Sequence, residues 1–248
     1  MTNERGIPEA RVHDAMRLIE KLETEHVLCL EEWVALFAVQ DDLALRAHLF
    51  ERARAVRDKH YGRQVFLRGL IEYSNYCKND CYYCGIRASN ADLRRYRLAL
   101  DEILTCCEQG YDLGYRTFVL QGGEDPKVPL VDIVGALRTR FPDCAITVSA
   151  GELPRKVYQQ LFDAGADRYL LRHETADPHH YGKLHPASMS LEERKACLFA
   201  LRDIGFQVGS GFLVGAPGQT SETMAANLAF LHELDPHMIG IGPFIPHS

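Results

Sequence analysis

The sequence predicts an α/β fold: a parallel (β/α) barrel of TIM type, with about six β/α units behind a helical lead-in. Three observations predict it. Short apolar runs alternate with helix-spaced apolar positions from about residue 65 to the end of the 248-residue chain. Glycines recur just before the apolar runs. Polar and chemically unusual residues follow the runs, where a parallel barrel carries its chemistry.

Taken in order, Ala15, Leu18, Ile19 and Leu22 share a helix face, and Leu43, Leu45, Leu49 and Phe50 mark a later helix. Residues 1–64 therefore read as a helical segment and 65–248 as the barrel domain. Strands are expected at 65–71, 117–120, 145–149, 168–171, 207–214 and 238–241. Between them, Leu130, Val134 and Leu137 share one helix face, Val157 and Leu161 a second, Leu198 and Leu201 a third. Ser190 followed by Glu193 forms a capping box. Gly114, Gly165 and Gly205 sit where a left-handed residue closes a helix before the next strand. After the six runs come 77–84, Gly122-Gly123-Glu124, Ser149, His173-Glu174, 215–218 and Pro243-Phe244.

Composition excludes several classes of protein. Hydrophobic residues make up 46 %, enough for a core, and the formal net charge is −6 with no long basic run, so no nucleic-acid partner is expected. The first eleven residues are polar and no stretch of about 18 apolar residues occurs, so no signal peptide and no membrane span are expected, and the chain reads as cytoplasmic. Eight cysteines in such a chain suit metal binding or buried thiols better than a disulfide framework.

Cys77-Lys-Asn-Asp-Cys81-Tyr-Tyr-Cys84 carries the strongest signal. Three thiolates within one loop can hold three corners of a 4Fe-4S cluster and leave the fourth iron open. A structural zinc would need a fourth donor, and Cys106 and Cys107 would have to fold back to supply it. Cys29, Cys106, Cys107, Cys144 and Cys197 read as small core residues on apolar faces or element ends. His173, His179, His180 and His185 match no zinc spacing, and Asp177-Pro178 breaks any helix that would align them, so they read as structural or solvent-exposed.

The C-x3-C-x2-C spacing, with Tyr83 just before the last cysteine, resembles the signature of the radical S-adenosylmethionine (radical SAM) superfamily. The resemblance implies that the open iron holds the methionine amino and carboxylate groups, and that reduction cleaves the sulfonium to a 5′-deoxyadenosyl radical. Gly122, Gly123 and Glu124 resemble the family's GGE motif, which binds the methionine ammonium. An acceptor-rich edge is what a donor-only ammonium requires. On the same footing, Glu174 would accept from the ribose hydroxyls. Arg194 would grip the methionine carboxylate as a fork. Ser149 would add a hydroxyl, and Tyr83 would lie against the adenine, with Tyr82 its competitor. Residues 211–215 resemble the adenine motif of the fifth strand, but Gly218 stands where an acidic residue is expected.

Further blocks, at 68–77, 84–87, 93–97, 119–126, 166–176 and 240–247, resemble the HydE family, radical SAM maturases of the iron–iron hydrogenase H-cluster. That resemblance implies an enclosed cavity and a small organometallic iron–cysteine substrate carrying carbon monoxide and cyanide. It also implies a reductant such as ferredoxin or flavodoxin, and partnership with other hydrogenase maturases. Arg68, Thr147 and Arg172 would face that cavity, where cations and a hydroxyl suit an anionic substrate. The alternative for each arginine is a salt bridge within the barrel. HydE proteins continue through two more strands, whereas this chain stops at Ser248, so a barrel lacking its last strands is expected. The competing readings are methylornithine synthase, biotin synthase, and a SAM- or iron–sulfur-binding module without full activity.

Overall fold

The computed structural model describes residues 8–247. These divide into two compact units, 8–66 with 219–233, and 67–218 with 234–247. In the first unit, α1 (Glu9–Glu25), α2 (Leu30–Phe37) and α3 (Leu43–Tyr61) pack around Ala15, Ile19, Leu28, Leu36, Val39 and Leu45. Ala15 and Ile19 are one helical turn apart, so the same face of α1 buries both. Asp42 caps α3 by accepting from the Leu45 amide at 2.8 Å. Among the described residues no helix is long and apolar enough to cross a membrane.

The second unit holds β1 (Gly69–Ser74), β2 (Thr117–Gly122), β3 (Ala145–Ser149), β4 (Arg168–Leu170), β5 (Gln207–Ser210) and β7 (Met238–Ile239). They hydrogen-bond in that order, all parallel, as one six-stranded sheet. Between successive strands run α4 (Leu100–Asp112), α5 (Leu130–Arg140), α6 (Arg155–Asp163), α7 (Pro178–Leu184) and α8 (Leu191–Ile204), with α9 (Ser221–Leu234) before β7. Sequential order with parallel pairing is the barrel progression that the alternating pattern predicts. Along β2 to β5, Phe118, Leu120, Ile146, Val148, Tyr169 and Val208 are buried. The residues between them bring Gln121, Thr147, Ser149, Arg168 and Gln207 to the opposite face, together with apolar Val119 and Leu170. Gly114, Gly165 and Gly205 all have positive φ, as helix-closing residues before strands require.

Four expectations need correction. The first strand begins at Gly69, not at 65, because Val65, Phe66 and Leu67 have no partner strand and lie exposed. The run 207–214 is broken: β5 ends at Ser210 and a separate β6 (Leu213–Val214) pairs with β8 (Gly242–Pro243). The break falls at Gly211, where a Cβ would collide with the Gly240 backbone, so this close approach needs a glycine at 211. Asp177-Pro178 starts a helix instead of interrupting one: Asp177 caps α7 and Pro178 occupies its first turn, where its missing N–H is no loss. Finally, Cys29 and Cys106 are exposed and are not core residues, whereas Cys107 and Cys144 are buried.

Candidate active site

Every element of the site leaves the C-terminal edge of the sheet in the second unit. The cysteine loop follows β1, Gly123 and Glu124 follow β2, and Glu152 follows β3. Arg172 and Glu174 follow β4, and Arg194 lies in the first turns of α8.

The loop is held by polar groups that bracket it. Buried Asn75 donates to Arg94 O at 2.9 Å and accepts from the Tyr96 amide at 2.7 Å. Arg95 lies at the loop's centre and donates to the carbonyls of Asn75, Ile86 (2.9 Å), Arg87 (2.6 Å) and Asn90 (3.3 Å). Its five-donor fork thereby ties both ends of the cysteine segment together. Arg97 clasps Asp125 with two bonds, at 2.6 and 3.0 Å, and covers the Tyr76 ring at 3.7 Å. Ser74 donates to the same Asp125 at 2.7 Å.

Gly122 and Gly123 lie directly beneath this loop. A Cβ at Gly122 would press into the Tyr73 ring, and one at Gly123 would meet the Tyr76 carbonyl and sit 2.7 Å from Cys77 Cβ. Two glycines therefore bring the β2 end into backbone contact with the cysteine segment. Cys81 is buried and Cys84 partly so. Burial pushes the Cys81 thiol up to about 12 and also raises Cys84, and neighbouring thiols raise both further. Thiolates here call for a coordinating cation, and the donor set suits an iron–sulfur cluster. Cys81 Sγ also lies 3.6 Å from Met189 Sδ. Among the described residues, no group of three His, Cys, Asp or Glu side chains forms a ready-made site for one metal ion.

Beside the loop runs a chain of charges. Glu124 is buried; its Oε1 accepts from the Glu152 amide at 2.7 Å and its Oε2 pairs with Lys78 Nζ at 3.0 Å. Gly151, at φ +72°, packs against the Glu124 side chain. Glu152 pairs with Arg194 at 2.5 Å, and Arg194 also donates to Arg172 O at 3.2 Å. Both charges of that pair are buried, and burial raises the Glu152 carboxyl above its usual range while Arg194 opposes the rise. Arg172 donates to Phe212 O at 2.7 Å and stands 3.5 Å from Glu174.

Glu174 has φ +63°, a left-handed conformation that a non-glycine residue rarely holds. Such a conformation persists only where the surrounding structure holds it in place. Burial, opposed by Arg172 and then Arg194, raises its carboxyl from the ordinary 4.5. A raised carboxyl binds its proton more tightly in the folded state. Its neutral form is favoured at acid pH, and its ionisation costs stability as pH rises from 4.5 through the folded value. We expect Glu174→Gln to melt at a higher temperature than the parent at neutral pH, with the gap closing below 4.5. Calorimetry across pH checks this, and a variant less stable at neutral pH would show that the Arg172 pair outweighs burial.

Of the residues expected at the site, the structure brings together Cys77, Cys81, Cys84, Gly122, Gly123, Glu124, Arg172, Glu174 and Arg194. Tyr83 turns inward against Leu184 and Leu213, while Tyr82 is exposed. Ser149 ends β3 at the same edge. Thr147 lies mid-strand in register with Arg168, its buried hydroxyl without a hydrogen-bond partner. Arg68 is exposed and precedes β1, one strand length (about 20 Å) from the edge that bears the cysteine loop. His173, His180 and His185 are buried in structural hydrogen bonds to Ser210, Thr175 and Tyr181. Sequence reasoning missed Arg95, Asp125, Glu152 and Tyr181. The basic block at 94–97 is a visible sign of the first and the 119–126 block of the second, but nothing local marks Glu152 or Tyr181.

A parallel sheet whose C-terminal edge joins a three-cysteine loop to a glycine-cradled glutamate defines an iron–sulfur class of (β/α) enzyme. Residues 71–231 match the radical SAM superfamily, and the chain belongs to it. It is 45 % identical over 210 residues to the [FeFe] hydrogenase maturase subunit HydE of Thermotoga maritima, covering 84 % of this chain and 60 % of that protein. Among solved structures, methylornithine synthase (PylB) superposes with a TM-score of 0.84 at 28 % identity, over 92 % of this chain and 68 % of its own. HydG, a maturase of the [FeFe]-hydrogenase, superposes at 0.83 with 25 % identity, over 96 % and 55 %.

Proposed function

We propose that this chain reductively cleaves S-adenosylmethionine and serves in maturation of the iron–iron hydrogenase H-cluster, acting on a small iron–cysteine complex. The observation that carries the radical SAM part is the backbone contact of Gly123 and Glu124 with the cysteine loop, which sets a buried carboxylate beside that loop. The 45 % identity to HydE supports the maturation role.

Cys77, Cys81 and Cys84 would hold the 4Fe-4S cluster. When bound, cluster and S-adenosylmethionine supply a 5′-deoxyadenosyl radical on reduction. The protein's own work is to orient and to exclude. Glu124, its Oε1 held by the Glu152 amide, would turn Oε2 from the Lys78 ammonium to the methionine ammonium. Arg194, fixed by Glu152 and the Arg172 carbonyl, presents its remaining donors to the methionine carboxylate. Glu174 offers acceptors to the ribose, Ser149 a hydroxyl, and Tyr83 an aromatic edge to the adenine. Buried surroundings around Cys81, Tyr83 and Glu174 keep water out, which strengthens each of these contacts. Arg172 and Thr147 would serve the anionic substrate, whereas Arg68 stands at the far end of β1 and is not assigned to it. A ferredoxin or flavodoxin would supply the electron, and another maturase the substrate.

Anaerobically reconstituted protein, given a strong reductant and S-adenosylmethionine, is expected to release 5′-deoxyadenosine. Binding of S-adenosylmethionine without cleavage would sink the catalytic reading and leave a binding module. The superposition with methylornithine synthase supports a second reading. Cleavage that requires lysine would favour it.

A further inference from the structure

Tyr83 is the aromatic residue inside the cysteine motif, and one side chain outside the motif decides how it stands. Its hydroxyl lies 3.3 Å from His185 Nε2, and the two rings meet edge to face with centroids 5.3 Å apart. His185 in turn stacks flat on Tyr181, at 3.9 Å and 15°. Its Nδ1 lies 3.1 Å from the Tyr181 carbonyl, one helical turn earlier in α7. A carbonyl only accepts, so Nδ1 carries the proton. In the neutral ring Nε2 then has a lone pair, and the Tyr83 hydroxyl must donate to it. Burial depresses His185 to about 4, which keeps the ring neutral across the physiological range. The direction of the whole relay is therefore set by the Tyr181 backbone.

Tyr83 also has the Cys81 thiol within hydrogen-bond reach. It shares an apolar cluster with Leu184, Leu213, Ala216 and Phe244, which confines the ring without setting its rotation. The hydrogen bond to His185 supplies that direction. The other end of the stack is also tied to the site: the buried Tyr181 hydroxyl is within electrostatic reach of Arg194, the residue that pairs with Glu152.

We infer that His185 is a positioning residue for Tyr83, holding the motif tyrosine by a one-way hydrogen bond in the orientation that receives the adenosyl group. The inference rests on the radical SAM reading of the site. It assigns work to a histidine outside the cysteine motif, and it explains why a buried imidazole is placed opposite the motif tyrosine.

The test is a double-mutant cycle read by equilibrium binding of S-adenosylmethionine to the reconstituted, oxidised protein, in which no cleavage occurs. Tyr83→Phe and His185→Phe should each weaken binding about 3- to 10-fold, the range of one neutral hydrogen bond. Together they should weaken it no more than either does alone. His185→Gln keeps an acceptor and should restore most of the affinity. Iron content and near-ultraviolet circular dichroism are measured on each variant, so that a folding defect is recognised as such. Tyr83→Phe is nearly isosteric and keeps the cycle readable if a His185 variant misfolds. Should the parent bind no S-adenosylmethionine, the radical SAM reading itself fails. Should the parent bind but Tyr83→Phe bind equally well, or the two losses simply add, the positioning role is overturned.

Discussion

Cys81→Ala protein, reconstituted anaerobically with iron and sulfide, will fold yet carry no 4Fe-4S cluster. Cys81 is the most buried of the three loop thiols, and burial is the first cause that pushes its pKa to about 12. Uncoordinated, it stays a neutral thiol. Coordinated, it becomes a thiolate whose charge the metal stabilises, with Arg194 adding to that in the same direction. Removing it leaves Cys77 and Cys84, two donors where the cluster needs three. The other exposed or buried cysteines belong to other elements and offer no replacement in this loop. Iron and sulfide analysis with electron paramagnetic resonance of the reduced protein reads the outcome. Iron content equal to that of the parent would refute the ligand assignment.

Arg194→Met will destabilise the protein by about 3–5 kcal/mol, the usual result of stripping one partner from a buried ion pair. The Nε–Oε1 distance is 2.5 Å, and both side chains lie within the fold, at 8 % and 18 % exposure. Without the guanidinium, Glu152 stays in a place that already raises its carboxyl, and its strongest opposing influence is gone. The sign of the pH effect follows. A raised carboxyl costs most when ionised, so the penalty is largest at neutral pH and shrinks as acid protonates Glu152. Urea unfolding at neutral and mildly acidic pH measures the difference, and Arg194→Met with Glu152→Gln should recover much of the loss. A penalty that does not change with pH would show that lost packing, not the stranded charge, governs the site. Under the proposed function the same substitution also removes the grip on the methionine carboxylate.

Much of the fold is legible in the chain because its signals are local. The helix-closing glycines at 114, 165 and 205 take left-handed φ where the pattern asks for them. The strands at 117–122 and 145–149 coincide with β-rich runs. The misjudged elements were decided by distant partners. Residues 65–67 look like strand but meet no neighbouring strand, and Gly211, where β5 breaks, lies against the backbone of the distant Gly240. The same division holds at the site. Gly122, Gly123 and Glu124 stand out by adjacency, but Glu152, which steadies Glu124 and pairs with Arg194, carries no local mark.

By itself the sequence determined the alternating architecture and the three-thiol loop, because helix and strand periods and a motif of eight residues are written in consecutive positions. Tertiary structure alone decided which tyrosine faces inward, which carboxylate meets Arg194, and that Arg68 stands at the far end of β1. These depend on parallel crossovers that bring together residues tens of positions apart. Only the packed sheet sets the distances and burial on which their charges and hydrogen bonds depend.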